Sequence, residues 1–132
     1  MALKITLKPN ERMIIGGAVI QNGITKSDFL IENSIPILRQ KNILGPADAN
    51  TPAKRIYLTI QLMYVDEPNL TRHHTLYWEL VHDFISAAPR ALGLIDQMNE
   101  LILQAKYYDA LKEAQKLIIF EQEVLDRVQQ CS

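Results

Sequence analysis

The sequence predicts an α+β protein: a small N-terminal antiparallel β-sheet followed by about four helices packed as a helical layer or bundle. Three observations carry this. Residues 3 to about 44 alternate apolar and polar side chains in short runs broken by turn residues, which is the two-residue period of half-buried strands. At Leu44-Gly45-Pro46 the pattern changes, and apolar residues then recur every three or four positions. Prolines at 52, 68 and 89 cut that second part into segments of helix length. With 132 residues and 48% hydrophobic content, the chain is sized for a single domain spanning residues 1–132. Within it, residues 1–45 read as a β subdomain and residues 46–132 as a helical one.

Each element has its own signal. Leu3, Ile5 and Leu7 alternate with Lys4, Thr6 and Lys8 as a first strand, and Pro9-Asn10 marks a turn. Met13-Ile14-Ile15 leads into Gly16-Gly17, a pair suited to a tight turn or bulge, and Ala18-Val19-Ile20 resumes. Asn22-Gly23 is a strong hairpin signal, with Phe29-Leu30-Ile31 and Ile35–Leu38 as further strands and Pro36 at an edge or strand start. Asn50-Thr51-Pro52 opens the first helix, because Thr51 accepts a bond from an orphan amide and Pro52 fits the first helical position.

Ile56, Ile60 and Met63 share one face of this helix and Leu58, Leu62 and Val65 another, a distribution that predicts burial between layers. Asp66-Glu67-Pro68 ends it. A second helix runs from about Leu70 to Ala87, Pro89 interrupts, and Leu92, Ile95, Leu101 and Ile102 mark a third. Asp109 is expected to cap the last helix, whose apolar stripe holds Leu111, Ala114, Leu117, Ile118, Val124, Leu125 and Val128, with Glu113, Lys116, Glu121 and Glu123 mostly on its polar side.

Composition narrows the function classes. One cysteine, Cys131, makes no internal disulfide, no secretory leader is visible, and no run approaches the roughly 18 apolar residues of a membrane span. A cytoplasmic protein with no membrane contact follows by elimination. Residues 1–60 carry eight basic and four acidic groups, and residues 61–132 carry six and eleven. A basic first half suits a polyanion; uneven chance partition of surface charge gives the same numbers.

Catalytic chemistry is hard to assemble. His73, His74 and His82 lack the three- or four-residue spacing with further ligands that a metal needs. His82-Asp83 has no nucleophile with an elbow, and Gly16-Gly17 is not a phosphate loop. The sequence therefore predicts a binding protein, not an enzyme, with no metal and no cofactor. The basic groups at the sheet and its exit, Arg12, Lys26, Arg39, Lys41, Lys54 and Arg55, can contact nucleic-acid phosphates without specificity, since arginine forks onto phosphate and lysine adds a point charge. The candidate RNA contacts are the five that fall in the stretches that carry the resemblance below, Arg12, Arg39, Lys41, Lys54 and Arg55. Ile119 lies outside the stripe of the last helix and Phe120 widens it. These two are the candidate partner contacts, toward another protein or a homo-oligomer, unless the helical layer itself buries them.

Three stretches carry a resemblance. Asn10-Glu11-Arg12-Met13-Ile14-Ile15-Gly16-Gly17-Ala18-Val19 resembles the opening of the FlbT family, with Asn10 and Gly16 replacing the commoner glycine and asparagine. Leu38-Arg39-Gln40-Lys41-Asn42-Ile43-Leu44, Ala49-Asn50-Thr51-Pro52-Ala53-Lys54-Arg55-Ile56-Tyr57 and Gln61-Leu62-Met63 are similar to its central segment. Tyr107-Tyr108-Asp109-Ala110-Leu111-Lys112 with Leu117-Ile118 and Glu121 resembles its terminal helix. The resemblance implies a post-transcriptional regulator of flagellin synthesis that binds the 5′ untranslated leader of flagellin mRNA and controls its stability or translation, without catalysis or cofactor. The alternative is a chaperone or adaptor that binds flagellin or another flagellar regulatory protein and affects RNA only indirectly.

Overall fold

Five short strands precede four α-helices in the computed structural model, which describes residues 2–130. The expectations attached to Cys131 lie outside the described residues. The strands are β1 (Leu3–Leu7), β2 (Arg12–Ile15), β3 (Ala18–Gln21), β4 (Ser27–Ile31) and β5 (Ile37–Arg39). The helices are α1 (Pro52–Val65), α2 (Leu70–Ala87), α3 (Leu92–Leu103) and α4 (Tyr107–Gln130), with a 3-10 turn between α1 and α2 and another between α2 and α3. This is the α+β class that the change of period at Gly45-Pro46 predicts.

The chain forms two compact units, Met1–Ile43 with Val65–Glu67, and Leu44–Tyr64 with Pro68–Ser132. The first holds all five strands, in two small antiparallel sheets: β1 pairs with β4, and β2 lies between β3 and β5. Gly16-Gly17 turns β2 into β3, with Ile15 opposite Ala18 and Gly16 at φ +58°. Asn22-Gly23, by contrast, closes no hairpin. The Asn22 side-chain amide reaches the carbonyls of Lys8 and Thr25, both at 2.9 Å, and its backbone N–H donates to Glu11. Those bonds stitch Asn22 onto the turn after β1, and the chain passes on to pair β4 with β1. Side-chain capture of backbone carbonyls is the alternative that asparagine offers to a hairpin turn. Ile5, Leu7 and Met13 form the core of this unit, with Ile15, Ile20, Phe29, Ile31 and Ile37 packed around them.

Asn10 and Gly16 both have positive φ, 62° and 58°. Glycine and asparagine are the two residues that enter this region most readily.

In the second unit α2 presents His73, Tyr77, Val81 and Phe84 inward. Tyr77 is the largest fully buried side chain among the described residues, and its hydroxyl donates to Asn99 Oδ1 on α3 at 2.7 Å. From α3, Ile95, Met98 and Ile102 are buried, and from α4, Ala110, Leu111, Ala114 and Leu117. Asp109 does not cap α4. It lies in the helix's first turn, where its charge still favours the dipole, and the Ala110 N–H bonds back to the Lys106 carbonyl.

The C-terminus of α3 closes by two bonds, Lys106 N–H to the Leu101 carbonyl at 2.8 Å and Ala105 N–H to Ile102 at 3.0 Å. This is the Schellman arrangement, with Ala105 at φ 59° in the position glycine usually fills. Ala105→Gly is therefore expected to stabilise the protein by about 1 kcal/mol, the penalty of a left-handed alanine. Its melting temperature is expected to rise by a few degrees.

Candidate functional site

The first unit carries a polar cleft of about 530 Å³ lined by Lys8, Pro9, Asn10, Glu11, Gln40 and Lys41. Two local structures shape it. The left-handed Asn10 turns the chain between β1 and β2, and a 3-10 turn at Gln40–Asn42 continues β5. They are tied together where the Arg12 N–H donates to Gln40 Oε1 at 2.6 Å. Arg12 and Lys41 are exposed beside this tie.

Arg39 is engaged differently. Its Nη2 donates to the Thr6 carbonyl at 2.9 Å and contacts Glu11 Oε2 at 3.3 Å, so the guanidinium pins β5 to β1. Its Nε is buried without a hydrogen-bond partner among the described residues. The Lys8 N–H donates to Glu11 Oε1 at 2.9 Å, and this bond, with the neighbouring Arg39, holds the Glu11 carboxyl below the usual carboxylate range. Glu11 thus offsets Arg39 and also faces the charge of Lys8, and Arg12 and Lys41 are the exposed cations beside them. Lys8 is the residue that sequence reasoning counted as basic without placing it at a site. Its position one residue before a Pro-Asn turn was the available signal.

Lys54 and Arg55 belong to the second unit, on the first turn of α1, Lys54 half-buried and Arg55 exposed. The five basic candidates are therefore divided three and two between the units. The basic excess of residues 1–60 divides too: the first unit has six basic and five acidic side chains, because it excludes Asp48, Lys54 and Arg55 and includes Asp66 and Glu67.

The start of α1 is capped twice. Thr51 Oγ1 accepts from the Lys54 N–H at 3.3 Å, as the Thr-Pro signal predicts, and Glu121 Oε2 accepts from the Ala53 N–H at 2.9 Å. Glu121 was expected on the polar side of α4. It is instead half-buried, within the buried stripe, and its charge meets the positive end of α1. Thr51→Ala is expected to cost about 1 kcal/mol and Glu121→Ala about 2 kcal/mol, since a bond to a charged acceptor is the stronger. Thermal unfolding of both variants measures this.

Beside this cap lies an apolar groove of about 680 Å³ in the second unit. Leu80, Phe84 and Ala87 of α2 form one wall, Phe120, Val124 and Leu125 of α4 the other, and Arg55, Asp83 and Glu121 supply its charges. Phe120 thus lines the groove and Ile119 does not. Ile119 is 59% exposed and does not line the groove, because successive helical residues point about 100° apart.

The histidines are spread out. His73 is buried, His74 Nε2 lies 3.1 Å from the Tyr107 hydroxyl, and His82 is exposed. Among the described residues no group of three or more His, Cys, Asp or Glu is placed to hold a metal, and no helix is long and apolar enough to cross a membrane.

Residues 3–125 match the family model described as flagellar protein FlbT. A probable flagellum biosynthesis repressor protein FlbT from Bradyrhizobium diazoefficiens is 46% identical over 125 residues, which cover 94% of this chain and 85% of the relative. One from Rhodopseudomonas palustris is 42% identical over 127 residues, 96% of this chain and 100% of the relative. The flagellum biosynthesis repressor protein FlbT of Caulobacter vibrioides is 32% identical over 130 residues, 97% and 92%. No solved structure matches the chain. On the family model and on relatives aligned over most of both lengths, this chain belongs to the FlbT family.

Proposed function

We propose that this protein regulates flagellum biosynthesis after transcription, by binding the 5′ untranslated leader of flagellin mRNA and controlling its stability or translation. The observation that carries the regulatory part is membership of a family whose relatives are named flagellum biosynthesis repressors. The RNA part is supported by cations of the kind that contact phosphate: Lys8, Arg12 and Lys41 at the cleft, and Lys54 and Arg55 on α1. The only aromatic residue of the strand region, Phe29, packs into the core cluster. Backbone contact therefore suits this region better than base stacking. The reading needs no catalytic step and no cofactor.

The test is a titration of purified protein with a flagellin leader at several salt concentrations. Binding is expected to weaken steeply as salt rises, through counterion release. Arg39 is a poor probe, because replacing it removes its bond to the Thr6 carbonyl. Lys8, Arg12 and Lys41 replaced together by Gln, and separately Lys54 with Arg55, are expected to lower affinity and reduce the salt slope, with the folded spectrum unchanged. Glu113→Gln with Glu123→Gln is expected to do neither.

A second reading, a flagellin- or flagellar-protein-binding adaptor, is favoured by one observation, the exposed Ile119. It predicts that Ile119→Asp abolishes capture of a flagellar protein while the basic variants retain it. Absence of leader binding at low salt sinks direct RNA recognition and leaves this second reading.

A further inference from the structure

We propose that the apolar groove of the second unit is a self-association surface, filled by the C-terminal half of α4 from a second copy of this chain. The inference does not rest on RNA binding. It starts from the stripe of α4, whose buried positions Ala110, Ala114 and Leu117 continue at helical spacing through Val124, Leu125 and Val128. Up to Leu117 the stripe is fully covered. Beyond it the same stripe is open, with Val124 38%, Leu125 44% and Val128 62% exposed. Val124 and Leu125 also form a wall of the groove, facing Leu80 and Phe84 of α2.

One patch therefore presents both an apolar ridge and an apolar depression. A surface of that kind meets itself about a two-fold axis, where each copy's ridge enters the other's depression and the contact closes at two chains. An unrelated partner would need to supply only a ridge, and nothing in this groove calls for one.

The charges fit the same occupant. The groove has one exposed base, Arg55, and one exposed acid, Asp83, and neither forms a salt bridge among the described residues. The projecting half of α4 carries an acid and a base four residues apart, Glu123 and Arg127, also exposed and without a salt bridge among the described residues. At that separation they share one side of the helix, flanking the Phe120–Val124 row. An antiparallel α4 from a second copy sets Glu123 against the partner's Arg55 and Arg127 against the partner's Asp83, twice by symmetry. An occupant of uniform charge would leave one of the two exposed groove charges opposed by a like charge.

Sedimentation equilibrium of the full chain over about 1–100 µM, the range in which moderate self-association shows, tests this. Wild type is expected to be a dimer in that range. Val124→Asp is expected to be monomeric with an unchanged helical spectrum, because residue 124 is on the surface of the isolated chain. Asp83→Arg and Arg127→Asp are each expected to weaken the dimer at least about tenfold, and the two together to restore most of it, as a direct charge pair requires. A dimer that Val124→Asp and both charge reversals leave intact overturns the proposal. So does a wild-type chain that stays monomeric across the range, whether or not a foreign amphipathic helix such as one from flagellin then occupies the groove.

Discussion

Tyr77→Ala is expected to be the most damaging single change in the second unit, costing about 3–5 kcal/mol, the usual range for emptying a fully buried aromatic site. Tyr77 has no exposed surface, stacks edge-on against Trp78 at 5.0 Å, and joins α2 to α3 through Asn99. Tyr77→Phe keeps the ring and loses the bond to Asn99, so it is expected to cost about 1 kcal/mol. The pair separates packing from hydrogen bonding in one denaturation series.

The phenol also sets an alkaline limit. Burial pushes the Tyr77 hydroxyl far above its ordinary value, and Tyr57 and Tyr107 are raised by the same cause. A raised folded-state value means that the folded protein holds its proton more tightly than the unfolded chain. The corresponding stability is complete below the unfolded tyrosine value of about 10 and is lost as pH rises above it. Unfolding followed from pH 9 to 11 is expected to show a fall in stability that Tyr77→Phe makes shallower.

Gln61→Leu is the second large effect expected, about 2–4 kcal/mol. The Gln61 side chain is buried and behaves like a strand partner: its Oε1 accepts from the Leu44 N–H at 2.8 Å, and its Nε2 donates to the Leu44 carbonyl at 3.1 Å. Leucine fills similar space and strands both backbone groups, each at about 1–3 kcal/mol where water does not reach. Gln61→Glu keeps the acceptor and removes the donor, so at neutral pH it also places a charge beside the Leu44 carbonyl. A denaturant midpoint that does not move at constant slope would show that water replaces both bonds.

The sequence announced the helices because their starts and stops are local. Pro52, Pro68 and Pro89 fix φ and remove donors wherever they stand, and the boundaries follow within a residue or two. Strand partners were not legible in the same way. Asn22-Gly23 carries the composition of a hairpin turn, and only the carbonyls of Lys8 and Thr25, which the fold brings to it, decide otherwise. Apolarity alone does not single out Tyr77 as core, because Leu76 and Trp78 beside it are more apolar, yet both are exposed. The spacing of His73, Tyr77, Val81 and Phe84 was the better guide. At the candidate site, the basic residues could be named from composition. Arg39's bond to Thr6 spans 33 residues and could not be read from spacing.

Glu121 has a consequence for the order in which the chain is made. The ribosome delivers Ala53 68 residues ahead of the carboxylate that receives its N–H. A nascent α1 therefore emerges with the Thr51 hydroxyl alone at its start, and its second cap arrives only when α4 has been synthesised and docked. Domains fold largely as they emerge, but this helix end matures late. A chain released before residue 121 would leave the ribosome with α1 under-capped, its first turn open to fraying and to proteases.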